Sequence, residues 1–347
     1  MTAVRASQAG GSLLLLAAAA MFPLVFTNAA VTNYGVYALI FVAAASAWNI
    51  FSGYSGYISL GHAVFFGSGA YLTGIATTDW HFTGSKVFLL LPLAGLLGAV
   101  LAVPFGLVAL RVRRHTFVVI TIAVFFIFQL MAYNLSVTGG TSGLLAPTVN
   151  YATATYNNPF YYAAFAIAVG TILLSWLVRR SRFGLQLRAI RDDEDRARGL
   201  GVHTMRVKLS AFVFSAIPVA MIGGVWWYYT TLVDPSSGFD PLFDVAIALM
   251  AFLGGLGTVA GPVLGALLIE PAYLYFQQQV SSGYIFLILY GALFLVVILL
   301  LPRGVIPTAG ELLKKWRARQ KNAGSPAGPG PPAGAVAAEV DRAREHA

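Results

Sequence analysis

GYSGYISLGHAVFFGSGAY, residues 53–71, sets five glycines, three serines and a histidine in a chain that is otherwise oily. Lipid offers a backbone amide no partner. Irregular backbone at membrane depth therefore survives only where protein or a water-filled cavity satisfies it. Ser55, Ser59, His62 and Ser68 supply polar atoms, and Gly61, Gly67 and Gly69 permit close approach or a break. Two readings fit. Small residues let neighbouring helices pack tightly, or a broken helix lines a solute path. His62 divides the same way, between an ionisable pathway group and a bond to a neighbouring helix.

The rest of the chain makes the lipid setting compulsory. Of 347 residues, 58% are hydrophobic and 10% charged, against about a quarter charged in soluble domains. The mean hydropathy is +0.75. There is no cysteine, which excludes disulfides, thiolate metal sites and a cysteine nucleophile. The net charge of +9 does not read as nucleic-acid binding. The basic residues gather at Arg111, Arg113 and Arg114, at Arg179 through Lys208, and at Arg303 through Lys321, with Lys86 alone between apolar runs. Such clustering in alternate loops marks the cytoplasmic side.

Apolar runs lie near 12–27, 34–52, 57–77, 87–110, 116–133, 160–178, 207–229, 243–256, 258–276 and 283–301. Each approaches the roughly 20 residues of a membrane span. The expectation is an all-α polytopic membrane protein of about ten helices with glycine-broken segments and both termini inside. Eight crossings with re-entrant segments satisfy the charges as well. Residues 12–30 read as a retained helix or as a cleaved secretory signal. Residues 1–308 form the expected transmembrane domain, and 309–347 a cytoplasmic basic segment and tail. The Pro/Gly/Ala-rich stretch 322–347 cannot bury a core and is expected to be disordered.

A second glycine-rich stretch, GGLGTVAGPVLGALLIEP at 254–271, has a dinucleotide-like spacing but lacks the soluble strand–helix context such a site requires. It shares a spacing with the first stretch. Leu60-Gly61 and Gly69-Ala70 match Leu256-Gly257 and Gly265-Ala266, which suggests an internal repeat with interrupted helices near a solute site. Glu270 reads as the one carboxylate well inside an apolar run, either a pathway group or a neutral structural one. Asn49, Tyr57, Ser59, Gly61, His62, Phe65, Gln129, Asn134 and Glu270 are the candidate pathway residues.

RRSRFGLQLRAIRDDEDRARGLGVHTMRVK, residues 179–208, reads as an amphipathic helix between two spans. Ser181 can cap it. Phe183, Leu187, Ile190, Ala197 and Leu200 recur on one side, and Gly199 and Gly201 can end it. The acidic cluster Asp192–Asp195 would be repelled by an anionic leaflet, which favours a groove on a partner protein over the lipid surface.

That loop resembles the cytoplasmic coupling loop (here 179–206) of ABC importer permeases, in particular the LivM-type permeases of branched-chain amino acid importers. The opening stretch resembles the same family, as do TGGTSGL at 138–144, LGGLGTVAGPVLGALLIE at 253–270 and LPRGVIP at 301–307. Glu194-Asp195-Arg196-Ala197 stands in place of a literal EAA triplet, and Pro271 follows Glu270. The resemblance implies a multi-pass permease subunit of a bacterial inner membrane, importing a branched-chain amino acid or, in close relatives, urea or a short amide. It implies as partners a second homologous permease, two cytoplasmic ATPases and a periplasmic solute-binding protein. Coupling to the ATPase would fall to Phe183, Leu187, Ile190, Arg191, Asp195, Ala197, Leu200 and Gly201. No GxxxxGK[ST] occurs, so ATP-Mg is expected on partner subunits and no cofactor on this chain. Neither HExxH nor GxSxG occurs, so no catalytic residue or metal site is expected. An ion-coupled secondary transporter is the rival reading, with His62 and Glu270 as its only candidates.

Overall fold

The computed structural model describes residues 16–80, 84–146, 155–279 and 304–308, with Leu14, Phe82, Ile288, Gly291, Ala292 and Leu295. The last apolar run, Arg303 through Lys321 and the tail 309–347 lie almost wholly outside the described residues. The described part is helical: α1 Leu16–Val25, α2 Ala29–Trp48, α3 Ala63–Asp79, α4 Leu91–Ala109, α5 Arg114–Asn134, α6 Asn157–Arg180, α7 Arg182–Asp192, α8 Glu194–Gly199, α9 Thr204–Thr230, α10 Pro235–Gly238, α11 Pro241–Gly254 and α12 Ala260–Gln279. A two-residue antiparallel pair, β1 Leu144–Leu145 with β2 Leu232–Val233, is the exception. Among the described residues, six helical stretches are long and apolar enough to cross a membrane. The helix α3 falls short by length, at 17 residues. The chain is therefore an all-α, multi-pass membrane protein with at least six span-capable helices.

Two helices organise the bundle. The most apolar window of the α2 span is 83% buried, and α2 packs on α6, α9, α11 and α12. Its small-residue run Val42–Ala47 lets those neighbours close in. The helix α9 carries α3 and α4. A Cβ at Gly69 of α3 would collide with the Ala220 carbonyl of α9, and one at Gly223 with the Phe66 carbonyl. The window of α5 is only 22% buried, which puts α5 at the periphery.

Both glycine-rich stretches interrupt helices. After Trp48 the chain makes one π-helical turn, Asn49–Gly53, then leaves the helix at Gly56 (φ +74°) and resumes at Ala63. The second stretch ends α11 at Gly254, turns through Gly255 (φ 123°) and Gly257 (φ 76°), and resumes at Ala260. The amphipathic segment is not one helix. Asp193 is extended (φ −158°), and its side chain accepts from the Arg196 amide. An internal N-cap thus starts α8 afresh and makes an elbow after α7.

Candidate functional site

The first break is filled from within the chain. The Gly56 amide donates to the Ser52 carbonyl at 3.0 Å. The Tyr57 amide donates to Ser55 Oγ at 3.2 Å and the Ser59 amide to Ser52 Oγ at 3.2 Å. The Leu60 amide reaches Thr121 Oγ1 on α5 at 3.1 Å, and Trp48 Nε1 donates to the Ser59 carbonyl at 2.8 Å. The His62 and Ala63 amides both donate to Asp244 Oδ1, at 2.9 and 3.1 Å. His62 itself offers α3 no side-chain cap. Asp244 of α11 therefore caps α3 from another helix, its carboxyl oxygens accepting the first amides of α3.

The His62 ring joins two serines. Nε2 lies 3.0 Å from Ser215 Oγ and Nδ1 3.0 Å from Ser59 Oγ. Ser215 gives its own proton to the Phe212 carbonyl at 2.7 Å. It meets the ring as an acceptor, so Nε2 carries the hydrogen and Nδ1 accepts from Ser59. A neutral imidazole satisfies both bonds. Phe65 and Phe212 meet the ring edge to face.

Asn49 joins the first break to the second. Its Nδ2 donates to the Thr258 carbonyl at 2.8 Å, and its Oδ1 accepts from the Gly257 amide at 2.8 Å. The loop between α6 and α9 meets the same place. Arg191 Nη1 donates to the Gly53 carbonyl at 2.8 Å. Arg114 Nη2 donates to the Ile190 and Arg191 carbonyls at 2.6 and 2.7 Å, holding the last turn of α7. Beside it lies a knot of Tyr57, Glu194 and Lys208. Lys208 Nζ sits 2.7 Å from Glu194 Oε1 and 3.1 Å from the Tyr57 hydroxyl, which donates to Glu194 Oε2. Burial pushes the Glu194 carboxyl up, but the bonds from Lys208 and Tyr57 and the charge of Lys208 more than offset it. The net shift holds Glu194 below the usual glutamate value.

Of the nine pathway candidates, the structure gathers six. Asn49, Tyr57, Ser59, Gly61, His62 and Phe65 form one cluster in and around the first break, and all are buried. Their side chains pack within the break, with Gly61 leaving room for Phe105 and Thr121. Gln129 lies apart, donating to the Phe239 carbonyl at 2.7 Å. Asn134 is exposed at the end of α5 and bonds back to the Leu130 carbonyl. Glu270 is buried on α12. It is not the only buried carboxyl, because Asp244 is 1% exposed. Asp244 escaped notice because it stands at the edge of run 243–256. Lys208 escaped as one more basic loop residue, yet it points inward.

In the loop, Ser181 caps α7, accepting from the Gly184 amide at 3.2 Å. Leu187, Ile190 and Ala197 are buried in this chain's own bundle, and Phe183 packs edge to face on Phe214 of α9. The apolar side is thus spent internally and does not form a free docking face. Leu200, expected on that side, is 85% exposed, because the elbow rephases α8. Asp195 is exposed, and Gly201 (φ +87°) closes the turn after α8. A depression of about 360 Å³ opens outward at the elbow, lined by Ala189, Asp192, Asp193, Arg196, Ala197 and Leu200.

A helical bundle with broken helices and a tethered loop, six of its helical stretches long and apolar enough to cross a membrane, is that of a multi-pass membrane protein. The chain belongs to the family described as the branched-chain amino acid transport system permease component, whose match covers residues 30–298. It is 25% identical to the high-affinity branched-chain amino acid transport permease LivM of Salmonella typhimurium and to that of Escherichia coli K12. Each match spans 327 residues, 86% of this chain and 75% of the relative. It is 25% identical to the permease LivH of Salmonella typhimurium over 80% of this chain and 92% of that one. A shorter match, 30% identical over 120 residues, is to the autoinducer 2 import permease LsrC of Photorhabdus luminescens. No solved structure shows a significant match. The family is one of transport permease components and not of enzymes, and among its members this chain is similar to both LivM and LivH.

Proposed function

We propose that this chain is the permease subunit of an ATP-binding-cassette importer in a bacterial inner membrane, carrying a small polar solute into the cytoplasm. Branched-chain amino acids are the first candidate, since the relatives matched over most of the chain carry that description. Urea or a short amide is the alternative cargo. The observation that carries the ATP-driven part is the elbow of α7 and α8. Its outward face holds Leu200, Asp192 and Arg196, while its inward face is tied to both helix breaks through Arg191 and Asn49.

In this reading the basic end of the bundle faces the cytoplasm, the chain crosses about ten times with both termini inside, and the outward depression of the elbow receives an ATPase. ATP-Mg and its hydrolysis belong to two ATPase subunits. A second homologous permease and a periplasmic solute-binding protein complete the assembly. This chain rearranges between two states that the ATPases bias. The ion-coupled alternative is less well supported. The His62 ring is committed to two serines and Asp244 to backbone amides, so neither forms a relay with Glu270.

The test is uptake by the purified assembly in proteoliposomes supplied with its binding protein. Leucine accumulation that requires ATP and survives an uncoupler is the expected result. Accumulation driven by an ion gradient without ATP would overturn the reading, and ATP-driven uptake of urea in place of leucine would change the cargo alone.

A further inference from the structure

We propose that Arg191 is the positioning residue through which the loop moves both helix breaks together, an inference that rests on the importer reading. Arg191 stands in the last turn of α7 and meets three elements at once. Its Nη1 donates to the Gly53 carbonyl, where the first helix ends, at 2.8 Å. Its side chain runs under Gly56, where an added Cβ would lie 3.0 Å from Cγ. Its guanidinium lies against Gly257 in the second break, where a Cβ would lie 2.5 Å from Nη1. Gly56 and Gly257 both have φ near +75°. Side chains rarely adopt that conformation, so the bare space that admits the arginine is built into the backbone on both sides.

Two further contacts make the junction stiff. Arg114 holds the Ile190 and Arg191 carbonyls, so the root of the side chain cannot drift relative to α5. Asn49 spans from the π-helical turn to Gly257 and Thr258, so the two breaks are fixed to each other at the glycine the guanidinium packs against. A displacement of α7 therefore reaches Gly53 through a hydrogen bond and Gly257 through close packing, both made by one rigid planar guanidinium. The knot of Glu194 with Lys208 and Tyr57 supports the neighbouring helix α8 and leaves the second break to Arg191.

The test uses the intact transporter in proteoliposomes, with leucine and ATP as probes and with Arg191→Ala, Arg191→Lys and Arg188→Ala. Arg188 lies on the same helix but, among the described residues, bonds to the Gly184 and Arg179 carbonyls of its own segment. The Arg191→Ala assembly is expected to keep its ATPase subunits and hydrolyse ATP within about twofold of wild type. Leucine moved per ATP should fall about tenfold, the scale expected on a coupling route. Arg191→Lys should recover part of the loss, and Arg188→Ala should match wild type. Should Arg191→Ala fail to assemble, Arg191→Gln carries the same test, since it keeps a donor but cannot fill the space beneath Gly257. An unchanged ratio of leucine to ATP would overturn the proposal, as would loss of uptake in step with loss of bound ATPase. A wild-type assembly without ATP-driven uptake would overturn the importer reading and this inference together, a result distinct from a normal ratio in the variant alone.

Discussion

The two glycine breaks share a spacing but are held in opposite ways. The first, 56–62, closes its early amides on Ser52 and Ser55 but hands those of Leu60 and His62 to residues far away in sequence: Thr121 on α5 and Asp244 on α11, with Ser215 on α9 holding the His62 ring. The second, 255–259, closes mostly on itself. Thr258 Oγ1 donates to the Gly255 carbonyl at 2.7 Å and accepts from the Gly261 amide at 3.0 Å, and Asn49 is its outside bond. The glycines at matching positions differ too. Gly257 is needed for its positive φ, whereas Gly61 is needed for space, since a Cβ there would lie 2.8 Å from Phe105 Cζ. Among the described residues, one break reads the positions of three helices, and the other is a local turn bonded from outside by Asn49 and packed against Arg191. Disturbing the partners of the first should therefore do more harm than disturbing those of the second.

The largest effect is expected at Asp244. Replacing it with alanine strands two buried amides at a helix start, each costing about 1–3 kcal/mol. Asp244→Ala should cut the yield of monodisperse permease severely, while Asp244→Asn, which keeps an acceptor, should keep most of it. Fluorescence-detected size exclusion with a heating series reads both. An alanine variant as heat-resistant as wild type would mean that the first break does not depend on its distant cap.

Asn49 comes next. Asn49→Ala removes both bonds to the second break and leaves the Gly257 amide and Thr258 carbonyl unpaired, for about 1–3 kcal/mol in all. The second break keeps its own Thr258 turn, so the chain should still assemble with a lower melting midpoint. Additivity with Asp244→Asn would show the two breaks to be independent. A coupling energy beyond about 0.5 kcal/mol would show them to act as one unit.

Much of this was legible in the sequence. The described apolar runs fall on helices, and the glycine stretch 53–71 does interrupt one, because irregular backbone in lipid needs polar atoms and this segment supplied them. Ser181 stood where a cap belongs, and it caps. The missing information concerned partners. Nothing near Asp244 says that its acceptor is committed to His62 and Ala63, 182 and 181 residues away. Periodicity placed Leu187, Ile190 and Ala197 on one side without saying whether that side meets its own bundle or another protein. Leu200 was assigned to the same face because periodicity runs on through an elbow that a single extended Asp193 creates.

The smallest effect, and the sharpest in its sign, concerns Glu194, which ties the loop to the first break through Tyr57. Its carboxyl is held below the ordinary glutamate value. A carboxyl whose pKa falls on folding lends its stability in full above the unfolded value and loses it as pH drops through the folded one. The attachment of α8 should therefore be constant across neutral pH and loosen only in acid below that value. Its worth is about 1 kcal/mol, since Glu194 keeps some contact with solvent. Hydrogen-exchange protection of residues 194–199, corrected for intrinsic rates, should fall about fivefold in acid in the wild type. Glu194→Gln keeps the shape but not the charge, and should show the lower protection at every pH. Equal protection in the two proteins at neutral pH would mean that buried Leu187, Ile190 and Ala197 hold the loop unaided. The ionic knot would then add nothing to the difference between the two breaks.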